Sequence, residues 1–127
     1  MKLFRGFLFA AIAAFTLMSC QKDDDAKSIA GTWEGNWGFD TDEPTVFERW
    51  VIEKNGNLSA YKGSGQLYAT GTWTLEGTVF EAEYSPVGKI YSYSFEGVYD
   101  SSQDQITGSW GDWPSTTDGG LFEMFKK

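Results

Sequence analysis

Tyr91-Ser92-Tyr93-Ser94-Phe95-Glu96 alternates aromatic and polar side chains without a break. Successive side chains of a β-strand point to opposite faces, so this spacing predicts a strand with three rings on one side and Ser, Ser and Glu on the other. The same alternation recurs on both sides of it. Phe80, Ala82 and Tyr84 oppose Glu81 and Glu83, while Trp33, Gly35 and Trp37 oppose Glu34 and Asn36. Trp73 and Leu75 oppose Thr72, Thr74 and Glu76, and Trp50, Ile52, Ile106 and Trp110 are expected to point inward. Two runs are ambiguous. In 46–53, Phe47 and Val51 lie opposite Trp50 and Ile52; in 121–126, Leu121 with Phe125 competes against Phe122 with Met124.

Strands are expected at 32–38, 46–53, 58–62, 70–75, 79–85, 90–99, 105–110 and 121–126, with no helical period of any length. Short strands spaced roughly 8–12 residues apart, with turn signals between them, describe a sandwich or barrel. Asn55-Gly56 reads as a type I′ hairpin turn, since both residues tolerate positive φ. Glu76-Gly77, Pro86-Val87-Gly88 and the segment 100–104 supply further reversals. Sequential strands joined by tight turns form a meander. The expected fold is therefore all-β: an antiparallel up-and-down meander barrel of about eight strands.

Upstream of this domain the composition changes. Lys2 and Arg5 precede an apolar run from Leu3 to Met18, shorter than the roughly 20 apolar residues of a spanning helix and arranged like a secretory signal. The run ends in Leu17-Met18-Ser19-Cys20, which resembles the lipobox of bacterial lipoproteins: an aliphatic residue, a variable one, a small one, then the cysteine that is lipidated. The resemblance implies cleavage before Cys20, a diacylglyceryl group on its thiol, and acylation of the freed amine. Each buried acyl CH₂ contributes about 0.8 kcal/mol, so two or three chains anchor firmly. Cys20 is the only cysteine, which leaves no intramolecular disulfide. The following Gln21-Lys22-Asp23-Asp24-Asp25 reads as a solvated tether. It also resembles the acidic surface-export signal of some Gram-negative lipoproteins, which implies an outer-membrane anchor facing the cell exterior. The chain thus divides into a lipoprotein signal peptide (1–19), a lipidated cysteine with an acidic tether (20–28) and a β-barrel domain (29–127).

Charge and residue types then exclude several functions. Eight basic against 18 acidic residues after Ser19 give a formal charge of −10, which repels a phosphate backbone and argues against nucleic acid as a partner. The chain contains no histidine. That removes the usual general base, the usual zinc ligand and every Ser-His or Cys-His nucleophile pair. With Cys20 committed to lipid, no enzymatic activity, cofactor or metal is expected. Asp40-Thr41-Asp42-Glu43 reads as a solvated acidic turn, lacking the glycine and distant glutamate of a calcium loop.

Gly31-Thr32-Trp33, Gly71-Thr72-Trp73 and Gly108-Ser109-Trp110 repeat one pattern at separations of 40 and 37 residues. A propeller needs at least about four such blades, and the chain is too short for them. Each Gly is read instead as starting or bending a strand, and each Trp as plugging the interior near a rim. With Gly31-Thr32-Trp33 opening the first strand, and Gly97-Val98-Tyr99-Asp100-Ser101 looking more loosely like an avidin-type strand end, though later in the chain than avidin's, the domain resembles the calycin group of lipocalin-like and avidin-like barrels. The resemblance implies that Trp33 is a structural plug. It does not extend to ligand. The arginine that covers this Trp in lipocalins is replaced by Lys126 and Lys127, Arg49 is the sole arginine after the signal, and the Arg/Tyr clamp of fatty-acid carriers has no counterpart. Biotin, retinoid and fatty acid are not implied.

An eight-stranded barrel is just wide enough to be filled by its own side chains or to hold one small molecule. Short strands favour a filled interior, with binding at the mouth or the outer loops. The candidate lining residues for a small apolar or aromatic ligand are Trp37, Trp50, Trp73, Tyr84, Tyr91 and Tyr93. A protein-binding module, such as an envelope protease or lysozyme inhibitor, is the alternative. Trp113-Pro114 would be its anchor, unless Trp113 instead folds over the barrel mouth. Capture of a glycan by ring stacking is a third reading. The domain is expected to be a monomer.

Overall fold

The computed structural model describes residues 29–127, so the signal peptide, Cys20 and the acidic tether lie outside the described residues. Eight strands follow in order: β1 (Gly31–Trp37), β2 (Val46–Ile52), β3 (Asn57–Tyr61), β4 (Leu67–Glu76), β5 (Val79–Pro86), β6 (Tyr93–Asp100), β7 (Gln105–Asp112) and β8 (Gly120–Lys126). Each pairs antiparallel with the next, and β1 pairs with β8 to close the barrel. This is the eight-stranded up-and-down meander that the alternation predicts. Closure removes both sheet edges, which an open meander would leave unpaired.

Three local expectations need correction. The strand expected from residue 90 starts at Tyr93, because β5 turns away at Pro86, whose carbonyl accepts from the Lys89 amide at 3.0 Å. Tyr84↔Tyr93 is then the last β5–β6 pair, and Ile90, Tyr91 and Ser92 fall in the connection. The strand expected from residue 70 begins at Leu67, since β3–β4 pairing shifts between Ala60↔Ala69 and Tyr61↔Leu67 and leaves Tyr68 as an extra, bulged residue. The Asn55-Gly56 turn is not type I′. Only Gly56 takes positive φ (98°), its amide bonds to the Glu53 carbonyl, and Glu53 pairs with Asn57 around a three-residue loop.

The interior settles both ambiguous strands. In β2 the inward set is Glu48, Trp50 and Ile52, and in β8 it is Phe122 and Met124, with Leu121 and Phe125 facing out. Trp50 forms the waist of the core, stacked on Phe80 at 6.1 Å and meeting Phe95 and Phe122 at 5.2 and 5.6 Å. Gly71 and Gly108 stand where neighbouring strands cross so closely that a Cβ would strike the backbone at Glu83 or Glu96. Those two glycines belong to the Gly-x-Trp repeats, and Gly31 opens β1 at a φ of 144°.

The repeated tryptophans divide between the two ends. Trp33 is fully buried, donates its indole N–H to the Ile29 carbonyl at 2.8 Å and meets Tyr99 edge-on at 6.0 Å. Trp73 donates to the Glu53 carbonyl in the β2–β3 turn at 2.8 Å. These two fill one end. Outside it, Glu34 joins Arg49 at 2.7 Å and Lys127 at 3.1 Å. Trp110 lies at the opposite end, donating to the Gly38 carbonyl at 2.9 Å. There the longer connections gather: 38–45, 62–66, 87–92 and 113–119.

Candidate binding site at the open end of the barrel

A cavity of about 70 Å³ lies inside the barrel at that second end, lined by Trp37, Phe39, Tyr68, Tyr84, Tyr93, Phe95 and Trp110. The topology explains the convergence. In a meander barrel the C-terminal ends of β1, β5 and β7 share a rim with the N-terminal ends of β4 and β6. Trp37, Tyr84 and Trp110 come from the first group, Tyr68 and Tyr93 from the second. Their rings hold one another in edge-to-face contacts. Trp37 and Trp110 lie 5.3 Å apart, Tyr93 and Trp110 5.7 Å, Tyr84 and Tyr93 6.1 Å, and Tyr68 and Tyr84 5.9 Å. Such contacts add about 0.5–1.5 kcal/mol each beyond burial and keep large rings in one arrangement. Phe39, in the β1–β2 connection, packs against Trp37 and Trp110 at 5.2 and 5.7 Å and forms part of the rim.

Behind this wall stands a carboxylate. Glu48 is 4% exposed, in phase with Trp50 and Ile52, and its Oε1 accepts the Trp50 indole N–H at 2.8 Å. The side chains of Tyr84 and Trp37, both on the cavity wall, also hydrogen-bond to it. Burial raises the Glu48 carboxyl above its ordinary range, because water is withheld from the charged form; the three donors from Trp50, Tyr84 and Trp37 oppose that rise. Burial likewise pushes the Tyr84 phenol well up, reinforced by the neighbouring Glu48. Tyr68 is raised to about 12, chiefly by burial and then by Tyr93 and Glu48. Tyr93 is raised by burial and by Tyr91 and Asp112. All three phenols therefore keep their protons at neutral pH and serve as neutral donors.

The structure brings together three of the six expected lining residues: Trp37, Tyr84 and Tyr93. Trp50 lies below the cavity in the filled waist, and Trp73 belongs to the opposite end. Tyr91 is 48% exposed and does not line the cavity; it reaches the site through its ring contact with Tyr93 at 5.7 Å and a side-chain hydrogen bond with the same residue. Glu48, Phe39 and Tyr68 were not expected. A charged residue in phase with two inward apolar ones was the available signal for Glu48. The bulge hid Tyr68 from any period-two count, and Phe39 sits in a loop. Alternation turns Phe95 and Trp110 inward without distinguishing a lining ring from a filling one.

Trp113 does not fold over the mouth. It is 59% exposed and lies against the outer face of the sheet, where a groove of about 300 Å³ runs between Glu81, Glu83, Glu96, Trp113, Pro114 and Thr116. Among the described residues, no group of three or more His, Cys, Asp or Glu side chains is placed to hold a metal ion. Cys20, the expected lipid attachment point, lies outside the described residues. No protein-family model matches the chain, and comparison with curated proteins and with solved structures likewise finds no match.

Proposed function

We propose that this chain is a lipid-anchored, non-enzymatic binding protein of calycin type, whose barrel takes a small apolar or aromatic ligand at its open end. The observation that carries the reading is the ring of Trp37, Tyr68, Tyr84, Tyr93 and Trp110 around an interior cavity. Mostly apolar walls with a few fixed polar groups are what small-molecule sites present. Below Trp50 the barrel is filled by its own side chains, so a ligand sits at the mouth and not along the axis. The anchor rests on Leu17-Met18-Ser19-Cys20, and the placement on the outer membrane, facing outward, rests on the acidic residues that follow. The absence of histidine supports a binding role over catalysis.

The test is an NMR titration of the full-length protein in a non-ionic maltoside micelle with a small aromatic probe such as toluene. The indole N–H signals of Trp37 and Trp110 should shift saturably with one site, while those of Trp33 and Trp73 stay still. Shifts that grow linearly, or that touch all six indoles alike, would remove the reading.

A second reading, as a protein-binding module of the cell envelope, is favoured by one observation. Trp113 stands 59% exposed beside Glu81, Glu83 and Glu96, an aromatic anchor next to an acidic face suited to a basic partner.

A further inference from the structure

The buried Glu48 is not explained by a site built only for an apolar ligand. Among the described residues both ion pairs belong to Glu34, and none reaches Glu48. The titratable groups that act on it are the phenols of Tyr84 on β5 and Tyr68 on β4, which are neutral, so its charge meets hydrogen bonds but no cation. Two of its three donors, Trp37 and Tyr84, are also cavity walls. Donating an indole N–H or a phenol O–H to a carboxylate pushes electron density into the ring. That deepens the negative potential of the ring face, the property that attracts a cation.

We propose that the open-end cage takes a small alkylammonium ion, surrounded by Trp37, Tyr68, Tyr84, Tyr93 and Trp110, with the Glu48 carboxylate as counter-charge behind the wall. This rests on the mouth being the binding site and names the chemistry of its ligand. Three further observations agree. The cavity of about 70 Å³ equals roughly two water volumes of about 30 Å³ each, room for an ammonium head whose alkyl remainder points out of the mouth. The four connections at this end carry four acidic residues against Lys62 and Lys89, so the rim draws cations inward. The wall already holds one: the Lys62 ammonium stands 5.6 Å from the centroid of Tyr68.

The experiment compares n-butylammonium with butan-1-ol on the full-length protein in a non-ionic maltoside micelle, read by the indole N–H signals of Trp37 and Trp110. The two probes share a chain length and can both donate a hydrogen bond, and they differ in charge. Butylammonium should bind at least tenfold more tightly, and Glu48→Gln should abolish most of that preference while leaving butan-1-ol unchanged. Should Glu48→Gln fail to fold, Tyr68→Leu, which removes a wall without touching the carboxylate, should weaken butylammonium more than butan-1-ol. Equal affinity of the two probes in the wild type overturns the proposal and leaves the mouth as an apolar site. Saturable binding of toluene with no response to butylammonium does the same. If none of the three probes gives a saturable shift, the binding reading and the proposal fall together.

Discussion

Glu48 and Glu34 show how the same side chain acquires opposite electrostatics two strand faces apart. Glu34 lies on the outside of β1, where hydrogen bonds from Arg49 and Lys127 hold its carboxyl below the ordinary range. Stability from that group is present above its unfolded pKa and lost as pH falls through the folded one. Glu48 lies inside β2, where burial raises its carboxyl despite three donors. Here the folded state holds the proton more tightly than the unfolded chain, whose glutamates titrate near about 4.3. The associated stability is therefore fully present below that value and is lost as pH rises through the raised, folded pKa. Urea denaturation of wild type and Glu48→Gln from about pH 4 to about pH 8 should show the wild type losing stability relative to the variant. The loss is about 1.4 kcal/mol for each pH unit separating the folded and unfolded titrations. A difference between the two proteins that does not move with pH would mean that Glu48 titrates as if exposed.

At the scale of the strand, β4, β5 and β6 each serve two purposes along their length. The C-terminal half of β4 carries Trp73 into the filled end, 7% exposed and hydrogen-bonded to the Glu53 carbonyl. Its N-terminal end carries Tyr68 to the mouth, turned there by the bulge opposite Tyr61. In β6, Tyr99 packs under Trp33 while Tyr93, six residues earlier, stands at the cavity. Truncation should separate the two purposes. Trp73→Ala removes a buried, hydrogen-bonded ring and should cost about 3–5 kcal/mol. Tyr93→Ala removes a half-buried ring that already borders a cavity, so it opens less new void and should cost less than Trp73→Ala. Equilibrium denaturation in urea distinguishes them, and equal losses at the two positions would contradict the division into a filled end and a mouth.

For the whole molecule, charge and anchorage act together. A formal charge of −10 after Ser19 disfavours contact of the domain with anionic headgroups, so in the proposed placement attachment would fall to lipid on Cys20. Asp23, Asp24 and Asp25 follow Cys20 after Gln21 and Lys22. Replacing all three by Ala should leave lipidation intact, as read by mass spectrometry of the membrane fraction. It should also reduce cleavage by protease added outside whole cells. Unchanged cleavage in the triple variant would reduce the segment to a plain spacer. Under the proposed outward display, the open end with its acidic rim would meet the solutes of the cell exterior.

Much of this was legible in the residues alone. Strand number, meander order and the inward faces of β1, β5 and most of β4 follow from alternation. Each side chain on a half-buried strand records only which side it faces, and that record is local. What alternation cannot record is position around and along the barrel. The face of β2 depended on whether Glu48 or Phe47 went inside, and the donors that receive Glu48 there come from Trp37 on β1 and Tyr84 on β5 as well as from Trp50 on β2 itself. The bulge at Tyr68 breaks the period where the site needs a ring, and the β5–β6 register leaves Tyr91 outside the sheet. Which rings meet at one rim, and which carboxylate stands behind them, is set by closure of β1 onto β8, a pairing between residues 33–37 and 122–126. Contacts so distant along the chain leave no periodic trace in it, because burial shapes local composition while register is chosen by the packing of the whole barrel.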